Sequence, residues 1–91
     1  MFFSLIKVEG HSMEPFLKEG SFFIGSNIPY IFRKPKEGDV VLFKNNNKII
    51  VKKIIRVDKE KISVEGINKS DNMKFSPVRR NEILGKLLIK L

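Results

Sequence analysis

Apolar residues in this chain fall into short runs separated by polar turns, which is the pattern of β-strands rather than of long amphipathic helices. Many of these runs are rich in isoleucine, valine and phenylalanine, whose branched or aromatic side chains favour extended backbone. We predict strands at residues 2–8, 21–25, 39–44, 48–58, 62–65 and 82–91.

The polar clusters between the runs predict the turns. Asn45-Asn46-Asn47 joins two runs, and asparagine tolerates the positive φ of tight turns, so residues 39–58 are predicted to form a hairpin. Residues 27–37, which contain two prolines, and residues 66–77 are predicted to be loops. Gly85 is predicted to mark a bulge in the last strand. The expected fold is mainly β: a single domain, residues 1–91, with an antiparallel, curved, barrel-like sheet.

Composition narrows the classes of function. The chain has no cysteine and a single histidine, His11, so it offers no thiolate site and no histidine cluster, and no metal or organic cofactor is implied. The net charge of +8 suits an anionic partner but is equally compatible with solubility alone. No apolar run approaches the roughly 20 residues that span a bilayer. We therefore expect a cytoplasmic protein without a transmembrane segment or signal peptide, with a membrane-peripheral location as the alternative.

The first segment with candidate chemistry surrounds Ser12. This serine follows Gly10 at the end of a predicted strand, and Pro15 lies three residues further on, so a fixed turn is expected to present its hydroxyl outward. Such a turn can also aim the Ser12 N–H at an incoming carbonyl oxygen. His11 is badly placed to be the base for this serine, because neighbouring side chains on extended backbone point in opposite directions.

A lysine pair in the predicted strand at residues 48–58 supplies a better base. Alternation places Lys52 between Ile50 and Ile54 on one face, while Lys53 has equally apolar neighbours on the other face. Burial disfavours the charged ammonium, and a lysine base near neutrality needs its pKa to fall from about 10.4 to about 7–8. The alternation does not choose between Lys52 and Lys53.

Three segments together resemble the signal peptidase I and LexA-type group of serine–lysine proteases. Ser12-Met13-Glu14-Pro15 is similar to the nucleophile box of that group, and Gly38-Asp39 is similar to the strand opening that precedes its base. Lys52-Lys53 is similar to the lysine box, in which the first of two consecutive basic residues is the base. The resemblance covers nearly the whole chain and selects Lys52 as general base for Ser12.

The fourth box of the group is degraded here. Gly66 and Asn68 match its opening, but Ile67 stands where the group has aspartate. The resemblance implies that Ser70 hydrogen-bonds and orients the catalytic lysine. Gly10 resembles the members that have no serine at this place, which implies that the oxyanion hole rests on the Ser12 N–H and on at most one other donor.

The resemblance implies a serine endopeptidase that removes an N-terminal leader or signal segment from a precursor protein. The precursor is expected to bind in extended form at a strand edge. The chain looks most like short anchorless members of the group, such as the nickel-type superoxide dismutase maturation proteases.

Two alternatives from other classes stay open. The chain could be a catalytically inactive relative that keeps the fold, or a basic β-barrel that binds nucleic acid, although no nucleic acid is expected as the partner because the phenylalanines lie mostly in apolar runs. A secondary expectation is weak peripheral contact between the apolar residues 1–6 and an anionic membrane.

Overall fold

The computed structural model describes residues 2–68 and 76–91, and β-strands dominate them. The strands are β1 Ser4–Lys7, β2 Phe22–Ser26, β3 Val40–Asn45, β4 Lys48–Asp58, β5 Lys61–Glu65, β6 Val78–Arg79 and β7 Ile83–Lys90. One short helix, α1 (Pro29–Phe32), and a 3₁₀ turn at Arg80–Glu82 complete these elements. The fold is therefore mainly β, as the sequence predicts.

All the strands form one antiparallel sheet in the order β1-β2-β7-β3-β4-β5-β6. The sheet is open rather than closed into a barrel, with β1 at one edge and β6 at the other in the described part of the chain. Three register shifts interrupt it, at Ile55 in β4 and at Leu84 and Leu88 in β7. An extra residue on one strand bends that strand, so these shifts curve the sheet. The irregularity at Leu84 adjoins Gly85, where the sequence predicts a bulge.

The hairpin β3–β4 forms at the predicted asparagine turn. Asn46 and Asn47 have φ values of 51° and 64°, and the strand pairing closes from Asn45 to Lys48 across them. Two consecutive residues with positive φ are typical of the turn whose twist matches that of the two strands it joins. This turn sets the pairing of β3 with β4 and so places Lys52 directly opposite Val41.

The core consists of two clusters that meet at β3. Leu42 belongs to the first cluster, whose other buried members are Val8, Met13, Leu17, Phe23 and Leu87. Val41 and Phe43 belong to the second cluster, with Ile54, Ile62, Val64 and Val78. Because successive side chains of a strand point to opposite faces, β3 is buried on both faces.

The structure differs from the sequence prediction in two elements. Helix α1 lies inside the predicted loop at residues 27–37, and Pro29 is compatible with a helix start because its missing N–H would have no partner in the first turn. Strand β6 was not predicted, since a two-residue strand is too short to show any alternation.

Candidate active site

Ser12 lies on a turn whose neighbouring residues pack into the hydrophobic core. The pairing of β1 with β2 continues past the strand ends, since the Val8 N–H donates to the Ser21 carbonyl oxygen at 2.8 Å and the Gly20 N–H donates back to the Val8 oxygen at 2.9 Å. Residues 9–19 therefore leave and re-enter the sheet at one place. Within this loop Met13 and Leu17 are buried in the first core cluster, so the backbone on the far side of Ser12 is fixed by packing.

The polar groups of Ser12 itself remain available for chemistry. Its side chain is half-buried, and within residues 2–68 and 76–91 neither its backbone N–H nor its hydroxyl donates a hydrogen bond. Gly10 has a φ of +83°, which side-chain-bearing residues rarely adopt, and its N–H is held by Glu19 Oε2 at 3.0 Å. The Gly10 amide is thus engaged elsewhere, whereas the Ser12 amide is open.

His11 faces two carboxylates. Its Nδ1 lies 3.0 Å from Glu14 Oε2, its Nε2 lies 3.5 Å from Glu19 Oε1, and its side chain is 61% exposed. The hydrogen bond from His11 lowers the pKa of Glu14. These contacts tie the two ends of the loop together beside Ser12.

The two lysines of β4 have opposite environments. Lys52 is only 4% exposed, whereas Lys53 lies on the exposed face. The side chain of Lys52 shares its face with Val41 across the hairpin and with Ile50 and Ile54 on its own strand. All three belong to the second core cluster or pack against it, so apolar side chains flank the side chain of Lys52.

Ser12 and Lys52 line the same groove. Its volume is about 690 Å³, and its walls are residues 5–13 on one side and residues 47–52 on the other. One wall includes the free edge of β1, whose outward N–H and C=O groups can pair with an extended peptide.

Asp39 is a buried carboxylate that belongs to the framework of the site. It accepts hydrogen bonds from the Tyr30 hydroxyl at 2.8 Å, from both terminal nitrogens of Arg33 at 3.0 and 3.2 Å, and from the Lys36 N–H at 3.2 Å. Burial alone would raise the pKa of Asp39, but the bonds from Arg33 and Tyr30 outweigh it, so the pKa is lowered. Burial, followed by the bond to Asp39, raises the pKa of Tyr30.

The backbone next to Asp39 fixes the strand that carries Lys52. The Gly38 N–H donates to the Ile54 oxygen at 2.9 Å, and the Ile54 N–H donates to the Asp39 oxygen at 2.8 Å. Gly38 has a φ of +90°, which explains glycine at the start of this box. The sequence identifies Gly38 and Asp39 but not the Asp39 partners Tyr30 and Arg33, because nothing in the sequence shows that helix α1 and the residue after it lie against Asp39.

The segment after β5 reaches Ser12. Both Gly66 and Asn68 contact the backbone around Ser12: a Cβ built on Gly66 would lie 2.5 Å from the Ser12 carbonyl oxygen, and the Asn68 N–H donates to that oxygen at 2.8 Å. Ser70, the expected partner of Lys52, lies outside the described residues. The two motif positions at the start of the degraded box are therefore brought to Ser12.

A model of the signal peptidase family, peptidase S26, matches residues 1–72. The chain belongs to this family. A search among curated proteins returned no match. The matched residues include the Ser12 loop, the β3–β4 hairpin and the segment after β5, so the family assignment covers every part of the groove described above.

Two further findings bear on the type of site. Among residues 2–68 and 76–91, no group of three or more His, Cys, Asp or Glu side chains is arranged to hold a metal ion. In the same part of this signal peptidase family member, no helix has the length and apolar character needed to cross a bilayer.

Proposed function

We propose that this signal peptidase family member is a serine endopeptidase in which Ser12 is the nucleophile and Lys52 the general base. The observation that carries the proposal is the pairing of environments in one groove: a half-buried serine whose hydroxyl and amide donate no hydrogen bond within residues 2–68 and 76–91, and a lysine that is 4% exposed and flanked by apolar side chains. Membership of a serine peptidase family supports the same reaction.

The reaction follows from these two groups. Neutral Lys52 takes the Ser12 proton, directly or through one water, as the Oγ–C bond to the scissile carbonyl forms. The Ser12 N–H donates to the oxyanion of the tetrahedral intermediate. The C–N bond then breaks, and the leaving amine receives the proton from Lys52. Lys52 next activates a water that hydrolyses the acyl ester and restores the serine.

The substrate we propose is the N-terminal leader of a precursor polypeptide. The groove is open along the edge strand β1, so a chain bound there in extended form gains backbone hydrogen bonds while its scissile carbonyl reaches Ser12. A segment that is extended and unfolded before binding, as leaders are, fits this geometry better than a folded surface does.

The test compares the purified chain with Ser12→Ala and Lys52→Met, using Lys53→Met as the matched control. The substrate is an internally quenched peptide library with varied residues on both sides of the scissile bond. We expect cleavage by the wild-type chain and by Lys53→Met, and a loss of about 10³-fold or more in the other two variants. Cleavage by Ser12→Ala at the wild-type rate would refute the mechanism.

The proposed substrate class has a separate readout. The wild-type chain is incubated with an unfolded bacterial protein extract, and the new N-termini are mapped by mass spectrometry. We expect the Ser12-dependent cuts to cluster within the first few tens of residues of precursors, as in leaders that are roughly 15–30 residues long. Cuts spread evenly along the substrate chains would contradict leader removal while leaving the serine–lysine mechanism intact.

A further inference from the structure

Asn68 holds two consecutive carbonyl groups of the nucleophile loop. Its backbone N–H donates to the Ser12 oxygen at 2.8 Å, and its side-chain Nδ2 donates to the His11 oxygen at 2.8 Å. His11 and Asn68 are 57 positions apart in the sequence, so this contact forms only in the folded chain. One residue thus fixes the peptide planes on both sides of the Ser12 Cα.

The hydrogen bond to the His11 oxygen also affects the Ser12 N–H, which belongs to the same peptide group. In a trans peptide, the C=O of one residue and the N–H of the next lie in one plane and point in opposite directions. Holding the His11 oxygen therefore sets the direction of the Ser12 N–H. In the proposed mechanism, that N–H is the group that donates a hydrogen bond to the oxyanion.

We propose that Asn68 is a positioning residue that aims the Ser12 amide into the groove. The effect of Asn68 on the reaction rests on the proposed function. Its effect on the direction of the Ser12 N–H does not. The His11 oxygen also accepts from the Glu14 N–H at 3.1 Å, so the turn supplies one restraint and Asn68 supplies a second from the segment after β5.

The segment that carries Asn68 is itself anchored. Ile67 packs against the first core cluster, which also contains Met13, so the residues adjoining Asn68 and Ser12 rest on one set of apolar contacts. Gly66 lies so close to the Ser12 backbone that it leaves no room for a side chain there. A short donor on an anchored segment can hold a peptide plane more firmly than water can, because it loses no freedom when the substrate arrives.

The decisive variant is Asn68→Ala. It removes the bond to the His11 oxygen and keeps the backbone bond to the Ser12 oxygen. Asn68→Asp has nearly the same shape but offers no side-chain donor when ionised, so it serves as a second variant if the alanine variant folds poorly. Asn81→Ala is the matched control, because Asn81 lines a different pocket.

Two readouts are measured on each protein. The first is the kcat and KM for the best-cleaved member of the peptide library used above. We expect kcat to fall about 10- to 100-fold in both Asn68 variants with KM nearly unchanged, since a misdirected donor is felt in the transition state. The second readout is the residual dipolar coupling of the Ser12 amide in ¹⁵N-labelled protein, which reports the direction of that N–H and needs no substrate.

The outcomes separate the two proposals. A changed Ser12 coupling together with a lowered kcat in the Asn68 variants, but not in Asn81→Ala, supports the positioning role. An unchanged coupling overturns it, whatever the activity. If the wild-type chain cleaves nothing, the proposed function fails, and the coupling alone still decides whether Asn68 directs the Ser12 amide. A lowered kcat with an unchanged coupling would mean that Asn68 acts in some other way.

Discussion

Substitution of Gly66 by alanine tests whether the distance between the segment after β5 and the Ser12 loop controls the reaction. The added Cβ would lie 2.5 Å from the Ser12 oxygen, 3.1 Å from the Ser12 Cβ and 3.3 Å from its carbonyl carbon. An ordinary carbon–oxygen contact is at least about 3.3 Å, so the two backbones must separate by about 0.8 Å. Two of these contact atoms are backbone atoms and the third, the Ser12 Cβ, is fixed directly by the backbone, so no flexible side-chain end can absorb the change.

Two magnitudes follow from that displacement. Overpacking of this kind costs about 1–3 kcal/mol of folding free energy, or a fall in Tm of very roughly 4–20 °C for a domain of this size. A misplacement near 1 Å at a catalytic group costs about 100-fold in rate. We therefore expect Gly66→Ala to be folded at 20 °C, with kcat/KM lowered by about 30- to 300-fold.

The matched control is Gly25→Ala. A Cβ on Gly25 would collide with Cδ1 of Leu42 in the first core cluster, so this variant also overpacks the protein. Gly25 does not line the groove, and its substitution should lower Tm without a comparable loss of rate. Cleavage is measured with the quenched peptide, and Tm by circular dichroism. Wild-type kcat/KM in Gly66→Ala, or equal losses in both variants, would refute the reasoning.

Three further predictions follow from the site. In ¹³C-detected NMR titration from pH 6 to 11, the Lys52 amine should titrate well below the ordinary lysine value of about 10.4, because burial disfavours its charged form. Asp39→Asn should lower the free energy of unfolding by about 2–4 kcal/mol at pH 7, since it breaks a carboxylate–Arg33 pair in which the carboxylate is 6% exposed. The chain should co-sediment weakly with anionic lipid vesicles at low salt, and Phe3→Glu with Leu5→Glu should abolish this, since both side chains are more than 60% exposed beside the groove.

Each of these predictions has a contradicting result. For Lys52, an ordinary pKa, with the resonance assigned by Lys52→Met, would mean that the amine is charged before substrate binds. For the membrane contact, equal sedimentation of the wild-type chain with neutral and anionic vesicles, or none with either, would contradict the electrostatic part of the argument.

The Asp39 prediction also has a pH dependence with a definite sign. Because the pKa of Asp39 is lower in the folded chain than in the unfolded chain, its contribution to stability is present above the unfolded value of about 3.9 and is lost as the pH falls towards the folded value. Urea unfolding from pH 7 to pH 2 should therefore show a smaller acid loss in Asp39→Asn than in the wild-type chain. Parallel curves for the two proteins would contradict the assignment.

The parts of the fold that the sequence predicts are those with local causes. The asparagine turn requires residues that tolerate positive φ, and Asn46 and Asn47 supply them, so the hairpin and its position follow from a few neighbouring residues. The bulge predicted in the last strand also follows from one local residue, Gly85, which adjoins the irregularity at Leu84. Strand β6 and helix α1 have no such local signal, because each is held by the elements against which it lies.

In the candidate site, too, the features with local causes could be predicted from the sequence and the long-range contacts could not. The resemblance found Ser12 and Lys52 by the order of their boxes, and burial then separates Lys52 from Lys53, which alternation alone leaves equivalent. The contacts of Asn68 with His11 and Ser12 join residues more than fifty positions apart and carry no periodicity. Such contacts depend on how the whole sheet curves, so no pattern within either segment predicts them.

The middle of strand β4 contains three pairs of identical residues: Ile49-Ile50, Lys52-Lys53 and Ile54-Ile55. A shift by one residue in one direction would put Lys53 where Lys52 lies and Ile55 where Ile54 lies, so these two positions discriminate poorly between the alignments, and the main penalty is Lys52 in the place of the half-buried Val51. The choice of which amine is buried thus falls to the asparagine turn at one end of the hairpin and to the Asp39 backbone bonds at the other. We therefore expect that deletion of one residue from that turn would bring Lys53 opposite Val41, whereas insertion of one residue would bring Val51 there and remove the amine from this position.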